Sequence, residues 1–181
     1  QCKALANEMG EISRDSFLEA MGLVFNPSKE GINSVIKKEN LVDHYNDKLS
    51  AYLTRLSGQD LSYADSIRVS SLQHCLVDIE RISDHAANVA ECVQQMMKED
   101  ASFSKKATEE LKVFGSAVED ILQRTTEAFV TDNEKLAHTV EPLEEVIDEL
   151  NKKVKKHHMK RLNKGKCTIE LGLVLSELAM N

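Results

Sequence analysis

Residues 72–93 read LQHCLVDIERISDHAANVAECV, and the apolar residues of this stretch recur every three or four positions. That spacing is typical of an amphipathic helix with one face in a core. Ser83, Ala86, Ala87 and Ala90 are small, so the stretch predicts a helix that a second helix approaches closely. The apolar stripe consists of Leu72, Leu76, Ile79, Ile82, Ala86, Val89 and Val93.

Two carboxylates, Glu80 and Asp84, lie beside this stripe and one helical turn apart. Residues at i and i+4 share a helix face, so the pair forms half of a metal site if a second helix supplies more oxygens. The spacing alone is not specific, because a chain with 30 acidic residues among 181 contains roughly five such pairs by chance. A solvated acidic face next to Arg81 is the alternative.

Composition favours a protein built from long helices. Aromatic residues make up 4 % of the chain, and proline occurs only at positions 27 and 142. Strands favour aromatic and β-branched residues and need frequent turns.

The net charge of −7 argues against nucleic acid as the main partner. Four scattered cysteines without a Cys-x-x-Cys pair predict reduced thiols in a cytosolic setting. No apolar run reaches the ~18 residues that a membrane span needs.

Periodicity and turn signals predict an all-α chain of six helices. Ser62 is the expected N-cap of the third helix, Gly58 the expected end of the second, and Pro142 a kink or a fresh start in the fifth. The predicted helices cover about residues 3–25, 32–56, 62–98, 105–130, 133–163 and 169–180.

An internal repeat divides these helices into two groups of three. The second helix of each group contains Glu-x-x-apolar-Asp, at residues 39–43 and again at residues 144–148. An Arg-Leu pair follows each copy at a nearly equal offset. Duplication therefore predicts two domains, residues 1–100 and residues 101–181.

Residues 80–91, ERISDHAANVAE, resemble the signature helix of the PhoU family of phosphate-transport regulators. Residues 157–167 and 170–178 resemble the C-terminal PhoU-like domain of bacterial sodium/phosphate cotransporters. The resemblance implies two tandem three-helix bundles with spectrin-like packing. It also implies a sixth helix truncated at the C-terminus, about two residues before the second Glu-Arg-x-x-Asp.

PhoU relatives hold metal clusters on this motif, so the resemblance implies a metal site on the second and third helices. Oxygen-only donors suit Mg, Ca, Mn or Fe, and Zn is possible. The expected cofactors are Fe or Zn ions, with Mn or Mg as alternatives. The expected ligands are Glu39, Asp43, Glu80 and Asp84, and the secondary candidates are Asp47, Asn88, Glu144 and Asp148.

The expected function is that of a non-catalytic, cytoplasmic regulatory domain. The chain has no Glu-x-x-His pair of the di-iron enzymes and no glycine-rich phosphate loop. The resemblance implies as partner the membrane domain of a sodium-dependent phosphate cotransporter or another phosphate-transport component. A homodimer, a metal-free helical interaction scaffold and a carboxylate-bridged di-metal enzyme remain alternatives.

One further feature is a basic run, residues 152–166. Its ordinary interpretation is a solvated face. If the parent is a membrane protein, the run is also suited to contact with anionic lipid headgroups.

Overall fold

The computed structural model describes residues 1–165 together with Gly172 and Leu175. The regular elements of this part of the chain are all helices, which confirms the all-α prediction. The sixth predicted helix, residues 169–180, lies outside the described residues apart from Gly172 and Leu175. The helices are α1 (Cys2–Leu23), α2 (Lys29–Ser57), α3 (Tyr63–Lys98), α4 (Lys105–Thr131), α5 (Glu134–Ala137) and α6 (Glu141–Leu162).

Serine caps begin the three longest helices, α2, α3 and α4. The hydroxyls of Ser28, Ser62 and Ser104 each accept a hydrogen bond from the backbone N–H three residues further along. Each cap satisfies one of the backbone donors that a helix start leaves without an intrahelical partner. The predicted N-cap at Ser62 and the predicted end of α2 at Gly58 are both confirmed.

The predicted fifth helix is divided in the structure. Asp132 ends α4 in the left-handed region, at φ 51°, and only the four residues of α5 follow before the chain turns again. Pro142 then lies in the first turn of α6. Proline is tolerated there because the first N–H groups of a helix have no intrahelical acceptor. Of the two predicted outcomes at Pro142, the fresh start is the one observed.

The first three helices pack against one another in all three pairings, and α4 lies against α1 and α6. Ser83, Ala86 and Ala90 are fully buried on α3, as expected for the close helix approach that their small size predicts. One buried cluster joins α1, α2 and α3 to Phe114 of α4 and Val154 of α6. The hydrophobic core thus continues from the first three helices onto α4 and α6. The boundary between two domains at residues 100 and 101 remains a prediction.

Candidate metal centre

The turn between α2 and α3 reverses the chain, so the two Glu-and-Asp pairs lie opposite each other. Glu39 and Asp43 are one turn apart on α2, and Glu80 and Asp84 are one turn apart on α3. All four side chains are partly buried. The apolar stripes of both helices point into the core, which leaves these flanking positions at the rim of the helix–helix contact.

Three of the four carboxylates come together. One side-chain oxygen each of Glu39, Asp43 and Asp84 lies within 4.8 Å of the other two. Within residues 1–165, Gly172 and Leu175, no other set of three His, Cys, Asp or Glu side chains meets this spacing. The structure therefore places carboxylates from two helices at a distance that one cation can span.

Glu80 lies outside this close group but within its electrostatic field. Burial is the main cause that raises the pKa of Glu80, and the charges of Asp84 and Asp43 raise it further. Arg81 acts in the opposite direction and lowers it. Glu80 is therefore a neighbour of the three-carboxylate group and contributes repulsion to it.

The pKa values of the other ligand candidates show the same repulsion. Burial first, and then the charges of Asp43 and Asp84, raise the pKa of Glu39, and a hydrogen bond with Asp43 adds to this shift. Burial followed by Asp43 raises the pKa of Asp84, while His85 lowers it. Carboxylates that repel one another in a partly dehydrated site favour either a shared proton or a bound cation.

Lys38, which precedes Glu39 in sequence, does not relieve this repulsion. Lys38 Nζ lies 2.7 Å from a carboxylate oxygen of Glu19 on α1, and the Ser34 hydroxyl donates to the same oxygen at 3.0 Å. The site has only oxygen donors and excess negative charge, which fits hard divalent cations, Fe and Zn.

Three of the secondary candidates, Asp47, Glu144 and Asp148, are not part of this group. Asp47 and Asn88 are exposed, each one turn beyond a central residue of the cluster. Glu144 and Asp148 are exposed on α6. Within the described part of the chain, the structure brings no group of three potential ligands together around Glu144 and Asp148.

One polar cluster was not predicted. Glu110 of α4 accepts from Arg161 Nη1 of α6 at 2.7 Å, and its other oxygen lies 3.0 Å from His157 Nδ1. These residues are separated by about fifty positions in sequence, and helical periodicity shows which face a residue occupies without identifying the opposite residue. The basic run around Arg161 is a visible signal, but nothing in the pattern selects Glu110 as its partner.

Comparison with known proteins identifies the family to which this all-α bundle belongs. The sequence profile described as the PhoU domain matches residues 6–93 and residues 111–181, which together are well over half of the chain. The chain belongs to the PhoU domain family.

Two relatives and one solved structure are similar to the chain. The phosphate-specific transport system accessory protein PhoU homolog 1 of Thermotoga maritima is 27 % identical over 142 residues, which are 77 % of this chain and 60 % of that protein. The PhoU homolog of Clostridium acetobutylicum is 20 % identical over 148 residues, 81 % of this chain and 66 % of that protein. The chain thus spans less than two thirds of either relative.

The crystal structure of PhoU from Pseudomonas aeruginosa has the same fold. It superimposes with a TM-score of 0.86 and covers 98 % of this chain and 87 % of the PhoU chain, at 18 % identity. No helix in the described part of the present chain has a stretch both long and apolar enough to cross a bilayer.

Proposed function

We propose that this chain is a non-catalytic regulatory domain in phosphate transport that binds metal through carboxylates of α2 and α3. The observation that carries the proposal is the group of Glu39, Asp43 and Asp84 within 4.8 Å, in a chain that belongs to the PhoU family. The names of the two relatives, phosphate-specific transport system accessory proteins, support the transport role.

A cation would be held by these three carboxylates, with Glu80 as the fourth ligand after a side-chain rearrangement. When bound, the ion supplies positive charge that cancels the repulsion between α2 and α3. Its role is structural and regulatory, because it joins the two helices and so makes their packing depend on metal. Fe or Zn are the proposed ions, with Mn or Mg as alternatives.

The finer proposal is that the parent is a sodium-dependent phosphate cotransporter with this domain on the cytoplasmic side. Residues 157–167 and 170–178 support it through their resemblance to the PhoU-like domain of those transporters. The partner is then the transporter's membrane domain or another phosphate-transport component. Deletion of this domain should change phosphate uptake at some external phosphate concentration. Unchanged uptake at every concentration would refute the regulatory role.

Metal analysis tests the site separately from the transport role. The purified chain is incubated with Fe, Mn, Zn or Mg in turn, passed through a desalting column and assayed for bound ion. Glu80→Gln with Asp84→Asn should lose the ion, whereas Asp78→Asn with Glu91→Gln removes the same charge from exposed positions of α3 and should retain it. A wild-type chain that binds none of the four ions would favour the metal-free scaffold.

A further inference from the structure

The helix α6 has its charges separated along its length. Its first half carries five acidic residues, whereas residues 152–164 carry seven lysines and arginines and no acidic residue. Acids near a helix start and bases near its end are stabilised by the helix dipole, but that preference is confined to the first and last turns. The basic segment extends over more than two turns, so the dipole alone does not account for it.

The lysines of this segment form an exposed row. Lys152, Lys156 and Lys160 are spaced four residues apart, so they follow one another on one face at intervals of about 6 Å. Like charges at this spacing destabilise a helix. Among the described residues, only Lys152 of this row has an acidic partner, Glu149, at 3.3 Å. The row therefore costs folding stability, and no acidic residue in the described part of the chain pairs with Lys156 or Lys160.

Arg161, the arginine of the same segment, faces inward and is neutralised by an acidic residue. Arg161 is 13 % exposed and bound to Glu110, which also contacts His157. Glu110 thereby attaches the end of α6 to α4 and leaves the lysine row facing solvent.

The start of α4 extends the basic surface. Lys105 and Lys106 are both exposed in its first turn, where the helix dipole disfavours cations. Lys106 lies one turn before Glu110 on the same side of α4. Because Glu110 contacts the last turn of α6, Lys106 is at the same end of the bundle as Lys160.

We propose that the lysine row of α6, with the first turn of α4, is a docking surface for a bilayer that contains anionic phospholipid. Lysine is a compact point charge that does not require the fixed, bidentate geometry that arginine provides for nucleic acid or for a protein carboxylate. Lipid headgroups rearrange laterally to match such a row. Met159 is 53 % exposed among these lysines, and lysine stems and a methionine side chain suit the apolar edge of the headgroup layer.

The distribution of charge also favours an anionic bilayer over polyanions in solution as the partner. The whole chain carries a net charge of −7, so a flexible polyanion in solution, which can reach every face of the bundle, also meets acidic surfaces that repel it. A planar bilayer meets only the end of the bundle that carries the lysines. This proposal is independent of metal binding and of phosphate transport, so it can fail while both of those hold.

The test is flotation of the complete chain with two kinds of vesicle, one of phosphatidylcholine alone and one of phosphatidylcholine and phosphatidylglycerol in equal parts. The chain should float only with the second kind, and added salt should release it. Replacing Lys152, Lys156 and Lys160 by Gln should lower the partition coefficient roughly 100-fold, because each lysine contributes to binding at an anionic surface. Glutamine favours the helix and removes repulsion, so α6 should remain folded, as circular dichroism can verify.

A matched control replaces Lys29, Lys37 and Lys48 of α2, all exposed, by Gln. This variant has the same net charge as the α6 variant and should float like the wild type. Equal loss of binding in both variants would show a general charge effect and would overturn the proposal. Absence of flotation, or binding of a short DNA duplex or an acidic peptide in its place, would also overturn it.

Discussion

Asp43 of α2 and Asp84 of α3 bring their carboxylate oxygens within 4.8 Å of each other although they are forty-one positions apart in sequence. Burial is the main cause that raises the pKa values of Asp84 and Glu80, and the charge of Asp43 raises both further. The helices α2 and α3 therefore pack through their apolar faces while carboxylates at the edge of the contact repel one another. The predictions about this site follow from that repulsion.

The first prediction ranks the carboxylates of α3. Asp84→Asn should weaken metal binding more than Glu80→Gln, because only Asp84 is already within the close group. Titration of each variant with the ion that the wild type binds gives the two affinities. Equal losses would show that Glu80 is a full ligand in the loaded protein, and a larger loss for Glu80→Gln would contradict the observed arrangement.

The second prediction concerns stability with metal. An ion that binds only the folded chain stabilises it by about 2.7 kcal/mol at a concentration of about 100 times its Kd. For a chain of this length, that gain corresponds to a rise in Tm of about 5–10 °C. Differential scanning calorimetry with and without the ion measures the shift. The Glu80→Gln, Asp84→Asn double variant is the control and should show no shift.

The third prediction concerns the metal-free chain and pH. Glu39, Glu80 and Asp84 have pKa values raised above 4.5, 4.5 and 3.8, so the folded state binds protons more tightly than the unfolded state does. The protonated groups contribute to the free energy of unfolding at low pH. This contribution is lost as the pH rises from the ordinary pKa values through the raised ones. Urea unfolding of metal-free protein across this range should therefore show a loss of stability with rising pH.

The double variant provides the comparison, because other groups of the protein titrate in the same range. Without Glu80 and Asp84 as acids, the stability lost between acid and neutral pH should be smaller than in the wild type. At neutral pH the metal-free variant should be as stable as the wild type or more stable, since two repelling charges are gone. A variant that is clearly less stable at neutral pH would refute the repulsion argument.

The fourth prediction tests the close packing of α3. Ser83 is fully buried, and its hydroxyl has no hydrogen-bond partner among the described residues. Ser83→Ala keeps the small size and removes the unpaired hydroxyl, so it should stabilise the fold by about 1 kcal/mol. Ser83→Leu should destabilise it by about 1–3 kcal/mol through overpacking. Glu91→Leu, on the exposed side of the same helix, should change stability by less than about 0.5 kcal/mol. Thermal unfolding of the three variants compares them.

Sequence alone predicted the first four helices and proposed a set of candidate ligands, of which the structure brings Glu39, Asp43 and Asp84 together. Apolar residues at helical spacing predicted the long helices, and local chemistry at Ser62 and Gly58 predicted where α3 begins and α2 ends, whereas Pro142 left a kink and a fresh start open. These features depend on residues within one or two turns of each other, so they can be read from the chain. The identity of the bound ion and the partner remain predictions.

Only the tertiary structure decided which charged groups face each other. It placed Asp84 in the close group and left Glu80 beside it, although both occupy the same face of α3. It also paired Glu110 with Arg161 and left the neighbouring lysines exposed. Helical spacing determines the direction in which a residue points around the axis of its own helix. The rotation and offset of a second helix, which decide the distance between two side chains, depend on how the apolar faces of both helices pack together.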